Sequence, residues 1–362
     1  MKARLLLEDG TLFTGLSFGS EGSSIGEVVF NTSMTGYQEI LTDPSYCGQM
    51  ITMTYPLIGN YGLTRDDYES LRPYAHGLIV REYAEYASNW RNEKSISTFL
   101  KEFGILGISG IDTRMLTRKI RNQGTMKGII TTGDEPLAEL KERLTHPLPQ
   151  DQVQRVSTKS IHISPNYGKR VVLIDFGAKH NIQRELFERN CEVISVPPYT
   201  SAEEILRFNP DGVILSNGPG NPKDLPEAVA TIQKLLGKVP MFGISLGHQL
   251  FALACGADTA QMKFGHHGNQ PVQELLTGKT VITSQNHGYM VPRDSVPEEL
   301  LTITHIAING GTIEGLEHCE HPAFTVQFQP ESAPGPLDSG YIFDRFIKLM
   351  DSFNRKGVVI HA

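Results

Sequence analysis

The chain has 362 residues and a net charge of −7, from 33 basic and 40 acidic side chains, and 39% of its residues are hydrophobic. This length predicts two domains, each large enough to bury its own core. The acidic balance excludes a surface built for nucleic acid, and no apolar run approaches the ~20 residues that cross a membrane. The 4 cysteines are scattered without a CxxC pair, which is typical of reduced thiols in a cytoplasmic protein.

Residues 1–150 predict a mixed α+β domain. A hairpin is expected at its start, because Ala3–Leu7 and Thr11–Phe18 flank the turn formers Asp9-Gly10, and this pattern does not fit a signal peptide. The further predicted elements are strands at Gly26–Phe30, Met50–Thr54 and Gly77–Val80 and helices over Ser95–Phe103 and Ile111–Asn122. The basic side chains of the second helix fit either a solvated face or a contact with a partner.

Residues 151–168 are polar and rich in turn formers, so they predict an interdomain linker. From residue 169 to 362, strands alternate with helices, which predicts a mostly parallel sheet covered by helices on both faces. The predicted strands are Val171–Asp175, Cys191–Val196, Gly212–Ser216 and Val239–Ile244; the helices are Asn181–Arg189, one that starts at the capping box Ser201–Glu204, Pro226–Leu236 and Leu246–Cys255. Functional sites of such sheets gather at the carboxyl ends of the strands.

Two glycine-containing loops fall at that edge. Gly243–Gly247 fits the G-x-S-x-G pattern of a nucleophile elbow, in which glycines remove Cβ clashes and the Leu246 N–H faces an oxyanion. Alternatively, Ser245 only caps the following helix, although the strand–turn–helix context favours the elbow. The other loop, Asn217–Gly220, fits either a close backbone approach to a ligand or a simple tight turn.

A serine nucleophile needs a base, and spacing alone places none of the histidines in this half. The candidates are His266, His267, His287, His305, His318 and His321. Histidines in such loops are more often hydrogen-bonding scaffold, and the pair at 266–267 lacks a suitably spaced third ligand, so no metal site is predicted. Gln329 has no titratable proton and cannot act as a base, whereas Glu331 is able to orient a neighbouring base.

Several segments resemble the class I (triad) glutamine amidotransferases, and with the N-terminal half they resemble the small, glutamine-hydrolysing chains of carbamoyl phosphate synthetase. The C-terminal segments are Asn217–Gly220, Gly243–Gln249, Lys263–Gly268, Gln285–Gly288 and Pro330–Pro336. The resemblance to the small chains of carbamoyl phosphate synthetase rests on two N-terminal segments, Asn31–Tyr46 and Gly110–Arg114. The resemblance covers essentially the whole chain.

The resemblance implies a cysteine nucleophile where this chain has Ser245 and a histidine base where it has Gln329, while Glu331 matches the orienting acid. The glutamine contacts that it implies are Ser45, Gly218, Gly220, Leu246, Gln249, Asn286, Gly288 and Tyr289. Because Ser45 lies in the N-terminal half, such a site is expected between the domains. A hydroxyl is less readily ionised than a thiol and Gln329 supplies no base, so we predict glutaminase activity lowered by several orders of magnitude.

The resemblance also implies a function and a setting. The small chain releases ammonia from glutamine for a large partner subunit, which makes carbamoyl phosphate from bicarbonate and ATP for arginine and pyrimidine synthesis. A cytoplasmic heterodimer is expected, with no cofactor in this chain and with ATP and Mg on the large partner. Two alternatives remain open: a non-catalytic glutamine-binding or structural subunit of an ammonia-using synthetase, and a serine hydrolase that uses Ser245.

Overall fold

The computed structural model describes residues 1–358, with side chains described as far as residue 353; the last residues of the predicted second domain, 359–362, lie outside it. The chain divides into two compact units. The first unit comprises Met1–Gln152 together with Lys263–Gly268, and the second comprises Val153–Met262 and the chain from Asn269 onward. Among the described residues, no helix is both long enough and apolar enough to span a membrane.

The first unit is built on a closed barrel. Its elements are β1 (Lys2–Leu7), β2 (Leu12–Gly19), β3 (Ser23–Asn31), α1 (Tyr37–Thr42), β4 (Gln49–Met53), β5 (Leu57–Ile58), β6 (Gly77–Ile79), β7 (Glu82–Tyr83), α2 (Ile96–Glu102), β8 (Leu106–Ser109), α3 (Thr113–Gln123), β9 (Met126–Thr131) and α4 (Leu137–Thr145). The barrel strands follow the order β1-β2-β8-β6-β4-β3-β9. The mixed α+β character was predicted, whereas the closure of the sheet was not.

Local sequence signals account for these elements. The predicted hairpin is confirmed: β1 and β2 pair antiparallel, with Gly10 at φ 88° in the turn. Ser95 caps α2 by accepting the Thr98 N–H at 3.2 Å, and Asp112 caps α3 in the same way. On β3, Val28 and Phe30 join one core cluster and Val29 joins another, as the two-residue period of a strand requires.

The rest of the chain forms a second sheet with helices. The elements are α5 (Gln152–Val156), β10 (His162–Ser164), β11 (Arg170–Ile174), α6 (His180–Glu188), β12 (Glu192–Val196), α7 (Ala202–Arg207), β13 (Gly212–Leu215), α8 (Pro226–Leu235), β14 (Met241–Ile244), α9 (Leu246–Ala254), β15 (Ala260–Glu274), β16 (Thr280–Met290), β17 (Leu301–Ala307), β18 (Ile313–His318), β19 (Ala323–Val326) and α10 (Tyr341–Val358). The strand order is β10-β12-β11-β13-β14-β19-β18-β17-β15-β16. The five neighbouring strands β12, β11, β13, β14 and β19 are parallel to one another. Antiparallel pairing joins β10 to β12, β18 to β19 and β17 to β18.

Both faces of the parallel strands are buried. Val172 and Ile174 of β11 join a core cluster with side chains of α7, α8 and α9. Val171 and Leu173 join another cluster with side chains of α6 and α10. Helices therefore cover the sheet on both sides, and the predicted alternation of strands and helices is confirmed. Within the stretch predicted as linker, α5 and β10 are ordered elements, and β10 pairs with β12.

Candidate active site

Three loops leave neighbouring parallel strands at one edge of the second unit's sheet. Leu215 of β13 pairs with Gly243 of β14, and Ile244 pairs with Val326 of β19. The loops that follow these strands therefore emerge side by side. The position at the carboxyl ends of the strands is the one expected for a functional site of this architecture.

The turn between β14 and α9 holds the serine of the G-x-S-x-G pattern. Ser245 has φ 53° and ψ −106°, a positive φ that non-glycine residues rarely adopt. Strain of this kind costs about 1–3 kcal/mol and persists only where the surroundings impose it. The Ser245 N–H donates to Val326 O at 2.9 Å, which ties the turn to the end of β19. The predicted strand–turn–helix geometry is present.

The alternative role for Ser245, as a side-chain cap of α9, is wrong. Its hydroxyl makes no capping hydrogen bond to the helix. By contrast, Ser201 has φ −69° and ψ 155° and caps α7 in a full capping box with Glu204. A cap needs this extended backbone so that the side chain turns back toward the first N–H groups of the helix. Ser245 does not have that backbone, so its hydroxyl is not used in holding α9.

The glycines that flank Ser245 are required by close packing. A Cβ on Gly243 would lie 2.7 Å from Thr325 Cγ2, and one on Gly247 would lie 2.6 Å from Leu215 Cβ. The Gly247 N–H donates to Ser216 O at 3.0 Å, so the first turn of α9 lies directly against the loop after β13. Side chains at these positions would push the turn away from its neighbouring strands.

The loop after β13 uses its two glycines for different reasons. Gly220 has φ 90° and so occupies a turn conformation that favours glycine. At Gly218 a Cβ would meet Phe176 O and would lie 2.9 Å from Leu246 Cδ2, so here glycine permits close approach. The tight turn is therefore confirmed at Gly220, whereas the approach of a ligand to this loop stays a prediction. The structure brings Gly218 and Leu246, two of the predicted glutamine contacts, next to each other.

A buried amide network brings together two further predicted contacts. The Gln249 Nε2 donates to Tyr289 O at 2.8 Å and to Gln327 Oε1 at 3.0 Å. Gln249 belongs to α9 and Tyr289 to β16. Two other predicted contacts also lie on β16: Asn286 is buried, and a Cβ added to Gly288 would have no atom within 4 Å. These positions fit the predicted contact set, and their role in holding glutamine stays a prediction.

The loop after β19 (residues 327–340, the base loop) holds Gln329, at the position where the resemblance implies a base. The Gln329 N–H donates to Ser284 O of β16 at 2.9 Å, and the Gln329 side chain is buried. The Lys179 ammonium donates to Gln329 Oε1 at 3.4 Å and lies 3.2 Å from Glu331 Oε1. Both side chains of this ion pair are fully buried. An amide neither accepts nor releases a proton near neutral pH, so this loop offers no base at position 329.

Sequence reasoning missed Lys179. It follows β11 at the carboxyl edge of the sheet, where the same rule that located the other loops would have placed it. A lysine is rarely fully buried unless it is paired, and its partner Glu331 was already a candidate. Its spacing from Glu331 in the sequence gave no signal, because the two residues meet only through the fold.

Among the described residues, several histidines of this unit have contacts or pKa values that do not fit a base. The ring nitrogens of His287 lie 2.9 Å from Tyr289 O and from Gln285 Oε1, which fits the predicted scaffold role. His248 lies in α9, close to the elbow in sequence, and sequence reasoning missed it; its Nδ1 lies 2.8 Å from Thr325 Oγ1. Burial lowers the pKa of His248 to about 3 and that of His305 to about 4, so both are weak bases. His318 and His321 lie against each other, with ring centroids 4.4 Å apart.

The remaining predicted residues belong to the first unit. Ser45 is buried in a short helical turn, where its N–H donates to Asp43 Oδ1 at 2.9 Å. Nearby, the Asn31 Nδ2 donates to the Tyr46 hydroxyl at 2.8 Å, so both ends of the Asn31–Tyr46 segment have a structural use. His267 is buried, and its carbonyl accepts the N–H of Thr32 at 3.2 Å. The assignment of Ser45 to a glutamine contact stays a prediction.

Comparison with known proteins adds family information to this geometry. Residues 5–130 match the family described as carbamoyl-phosphate synthase small chain, CPSase domain, and residues 172–349 match glutamine amidotransferase class-I. The chain is 60% identical to a carbamoyl phosphate synthase small chain of Bacillus caldolyticus, with 100% of both chains covered. It is 58% identical to the pyrimidine-specific small chain of Halalkalibacterium halodurans (99% of this chain, 100% of the relative) and 56% identical to that of Bacillus subtilis (99% of both).

Proposed function

The chain belongs to the carbamoyl phosphate synthase small chains, a glutamine-hydrolysing family with a class I amidotransferase domain, and from that premise we propose that it binds glutamine but hydrolyses it very slowly. One observation carries the second half of this proposal. The elbow retains its strained backbone and its close packing, yet it presents the hydroxyl of Ser245, and the amide of Gln329 stands at the position of the base.

The chemistry of the family explains the expected loss. A cysteine thiolate attacks the side-chain amide carbon of glutamine, the carbonyl oxygen becomes an oxyanion near the N–H groups of Leu246 and Gly218, and ammonia leaves after it gains a proton from the base. Water then attacks the thioester and releases glutamate. In this chain Ser245 must lose its proton before it attacks, and Gln329 cannot accept it. The two replacements act on one catalytic unit, so their effects are not additive.

We propose the large synthetase subunit as the partner, with ATP and Mg²⁺ bound there, and the cytoplasm as the location. Two of the relatives are named pyrimidine-specific, which supports pyrimidine synthesis as the use of the carbamoyl phosphate. Arginine synthesis is the other expected use of the same product. The small chain contributes the glutamine site to this heterodimer and needs no cofactor of its own.

A second candidate is a glutamine-binding subunit that supports a partner fed by free ammonia. The observation in its favour is that Gly218, Leu246 and Gln249, three of the residues proposed to hold glutamine, are buried or closely packed. A serine hydrolase is a weaker candidate, because the pKa of His248 near the elbow is lowered to about 3 by burial. Failure of a fluorophosphonate probe to label Ser245 would exclude it.

The decisive experiment compares four versions of the complex with the large subunit: the unchanged chain, Ser245→Cys, Gln329→His and the double variant. Glutamate release is measured at saturating glutamine, and carbamoyl phosphate synthesis from added ammonia serves as the control for an intact partner. We expect the double variant to exceed the unchanged chain by at least about 10³-fold, since a thiolate and a base are restored together. Equal glutamate release by all four versions would overturn the proposed impairment.

A further inference from the structure

Lys179 is a buried cation for which the glutaminase chemistry above has no use. It stands between β11 and α6, and its side chain is fully buried. Its ammonium lies 3.2 Å from Glu331 Oε1, donates to Gln329 Oε1 at 3.4 Å and donates to the carbonyl of Ser332. A buried ammonium needs such partners, because leaving water without them is costly. All three partners belong to the loop that holds the base position.

The backbone of the lysine is itself held by one other loop and by its own segment. Its backbone N–H donates to Asn217 Oδ1 at 3.1 Å, in the loop that carries Gly218. Asp175 Oδ1 accepts the N–H groups of Gly177 and Ala178, at 2.8 and 2.7 Å, and so fixes the segment that leads to the lysine. Because its backbone is anchored on one loop and its ammonium on another, Lys179 sets how the base loop lies relative to the Gly218 loop.

We propose that Lys179 is a positioning residue of this amidotransferase site, which fixes the Glu331 carboxylate and makes a base at position 329 less basic. The effect of Lys179 on glutamine hydrolysis rests on the proposed function, whereas its electrostatic effect on position 329 does not depend on that function. An ammonium in contact with position 329 opposes the protonation of an imidazole there, while the Glu331 carboxylate favours it. The ammonium also gives the Gln329 amide oxygen a hydrogen bond, which explains how this position accommodates an amide in a buried site.

Two charges near position 329 come from different elements. Lys179 contributes the ammonium from the segment before α6, and Glu331 contributes a carboxylate from the base loop itself. Asp175 lies one step further away, bound to backbone N–H groups of the lysine's own segment and to that of Thr158 at 2.7 Å. From β16, Ser284 contributes a neutral carbonyl. Removing the lysine therefore leaves the carboxylate as the nearer influence on an imidazole.

The test uses the full chain with Gln329→His, in complex with the large subunit, and follows the introduced imidazole by NMR of selectively labelled histidine; the unchanged chain identifies its signal. We expect Lys179→Met to raise the midpoint of this titration by about one pH unit, because one charge in contact has been removed. Lys179→Gln is the second uncharged variant in case Lys179→Met does not fold, and Lys179→Arg should restore the original midpoint. The matched control is Lys234→Met, which removes an exposed ammonium on α8.

Kinetics gives the catalytic half of the test. In the Ser245→Cys/Gln329→His background, Lys179→Met should move the acid limb of the kcat/KM profile to higher pH by the same amount and leave the KM for glutamine within about twofold. An unmoved NMR midpoint in both folded uncharged variants would overturn the role of Lys179. If the midpoint moves while the double variant stays inactive, the electrostatic role of Lys179 stands and the proposed glutaminase function fails.

Discussion

The elbow loop and the base loop lie at the ends of adjacent strands, yet they are held in different ways. The elbow, Gly243–Gly247, is fixed by backbone contacts: glycines against neighbouring strands, a positive φ, and the Ser245 N–H on Val326 O. The base loop also has a backbone contact, from the Gln329 N–H to Ser284 O, and in addition it has a buried ion pair, in which the Lys179 ammonium lies against the Glu331 carboxylate and donates to the Ser332 carbonyl. Backbone contacts do not depend on which side chain stands at position 245. The elbow therefore keeps its geometry with a serine, whereas the base loop depends in addition on a buried ion pair.

The largest expected effect tests the charged loop. Lys179→Met removes the cation that faces a fully buried carboxylate, and breaking a buried ion pair on one side costs about 3–5 kcal/mol. Replacing both partners, in Lys179→Met/Glu331→Met, should recover most of that loss, since no charge then stays buried. Urea unfolding of the three chains measures the free energies of unfolding. If the single and the double variant were equally unstable, charge would not be what holds this loop.

The next effect tests the backbone-held loop. Gly247→Ala places a Cβ within 2.6 Å of Leu215 Cβ, so the strand or the helix must shift, at a cost of about 1–3 kcal/mol. Gly340→Ala is the matched control, because its added Cβ would lie 3.5 Å from Leu337 O, an ordinary contact. Thermal unfolding of both variants checks the difference. Equal melting temperatures would show that the elbow tolerates bulk and is not fixed by close approach.

The free energy of unfolding is expected to depend on pH through two buried histidines, His248 on α9 and His305 on β17. Burial lowers the pKa of His248 to about 3 and of His305 to about 4, below the ordinary value of 6.5. Both stay neutral when folded, so their contribution to stability is fully present above about pH 6.5. It is lost, by about 1.4 kcal/mol per pH unit for each histidine, as the pH falls from there toward the folded pKa. Glu274 and Arg345 act on His305 in opposite directions.

Urea unfolding at pH 7 and pH 5.5 measures this loss. His248→Gln should remove the contribution of one histidine, about 1.4 kcal/mol per pH unit, from this loss of stability. His146→Gln, at an exposed position, should leave the loss unchanged. A pH dependence that is the same in all three chains would contradict the burial of a neutral imidazole on α9.

The smallest effect compares two serines that precede helices. Ser201→Ala removes a working cap and should cost about 1 kcal/mol, while Ser245→Ala should change the free energy of unfolding little. Ser245→Gly should gain about 1 kcal/mol over Ser245→Ala, because glycine adopts the positive φ at Ser245 without strain. Differential scanning calorimetry resolves these changes. A loss at Ser245→Ala as large as that at Ser201→Ala would restore the capping role rejected above.

Sequence patterns predicted the parts of the fold that depend on neighbouring residues. The hairpin at Asp9-Gly10, the capping box at Ser201–Glu204 and the elbow turn are all set by local chemistry and are present. Closure of the barrel depends on the pairing of β1 with β9, two strands that are far apart in the sequence, and no local pattern encodes it. The antiparallel strands β17 and β18, which a short loop joins, were not predicted either. The Lys179–Glu331 pair was missed because its members meet only after the parallel sheet has formed.

The assignment of Lys263–Gly268 to the first unit limits how the gene can be divided. A fragment that ends at residue 152 would lose the carbonyl of Lys263, which accepts the Thr125 N–H at 2.8 Å, and the ring of Phe264, whose centroid lies 5.9 Å from that of Phe30. Expression of the barrel alone would therefore remove this acceptor of the Thr125 N–H and this ring contact of Phe30. An independently produced barrel needs this six-residue segment, either grafted on or supplied as a peptide. Without it, poor solubility of the fragment would not show that the complete barrel is unstable.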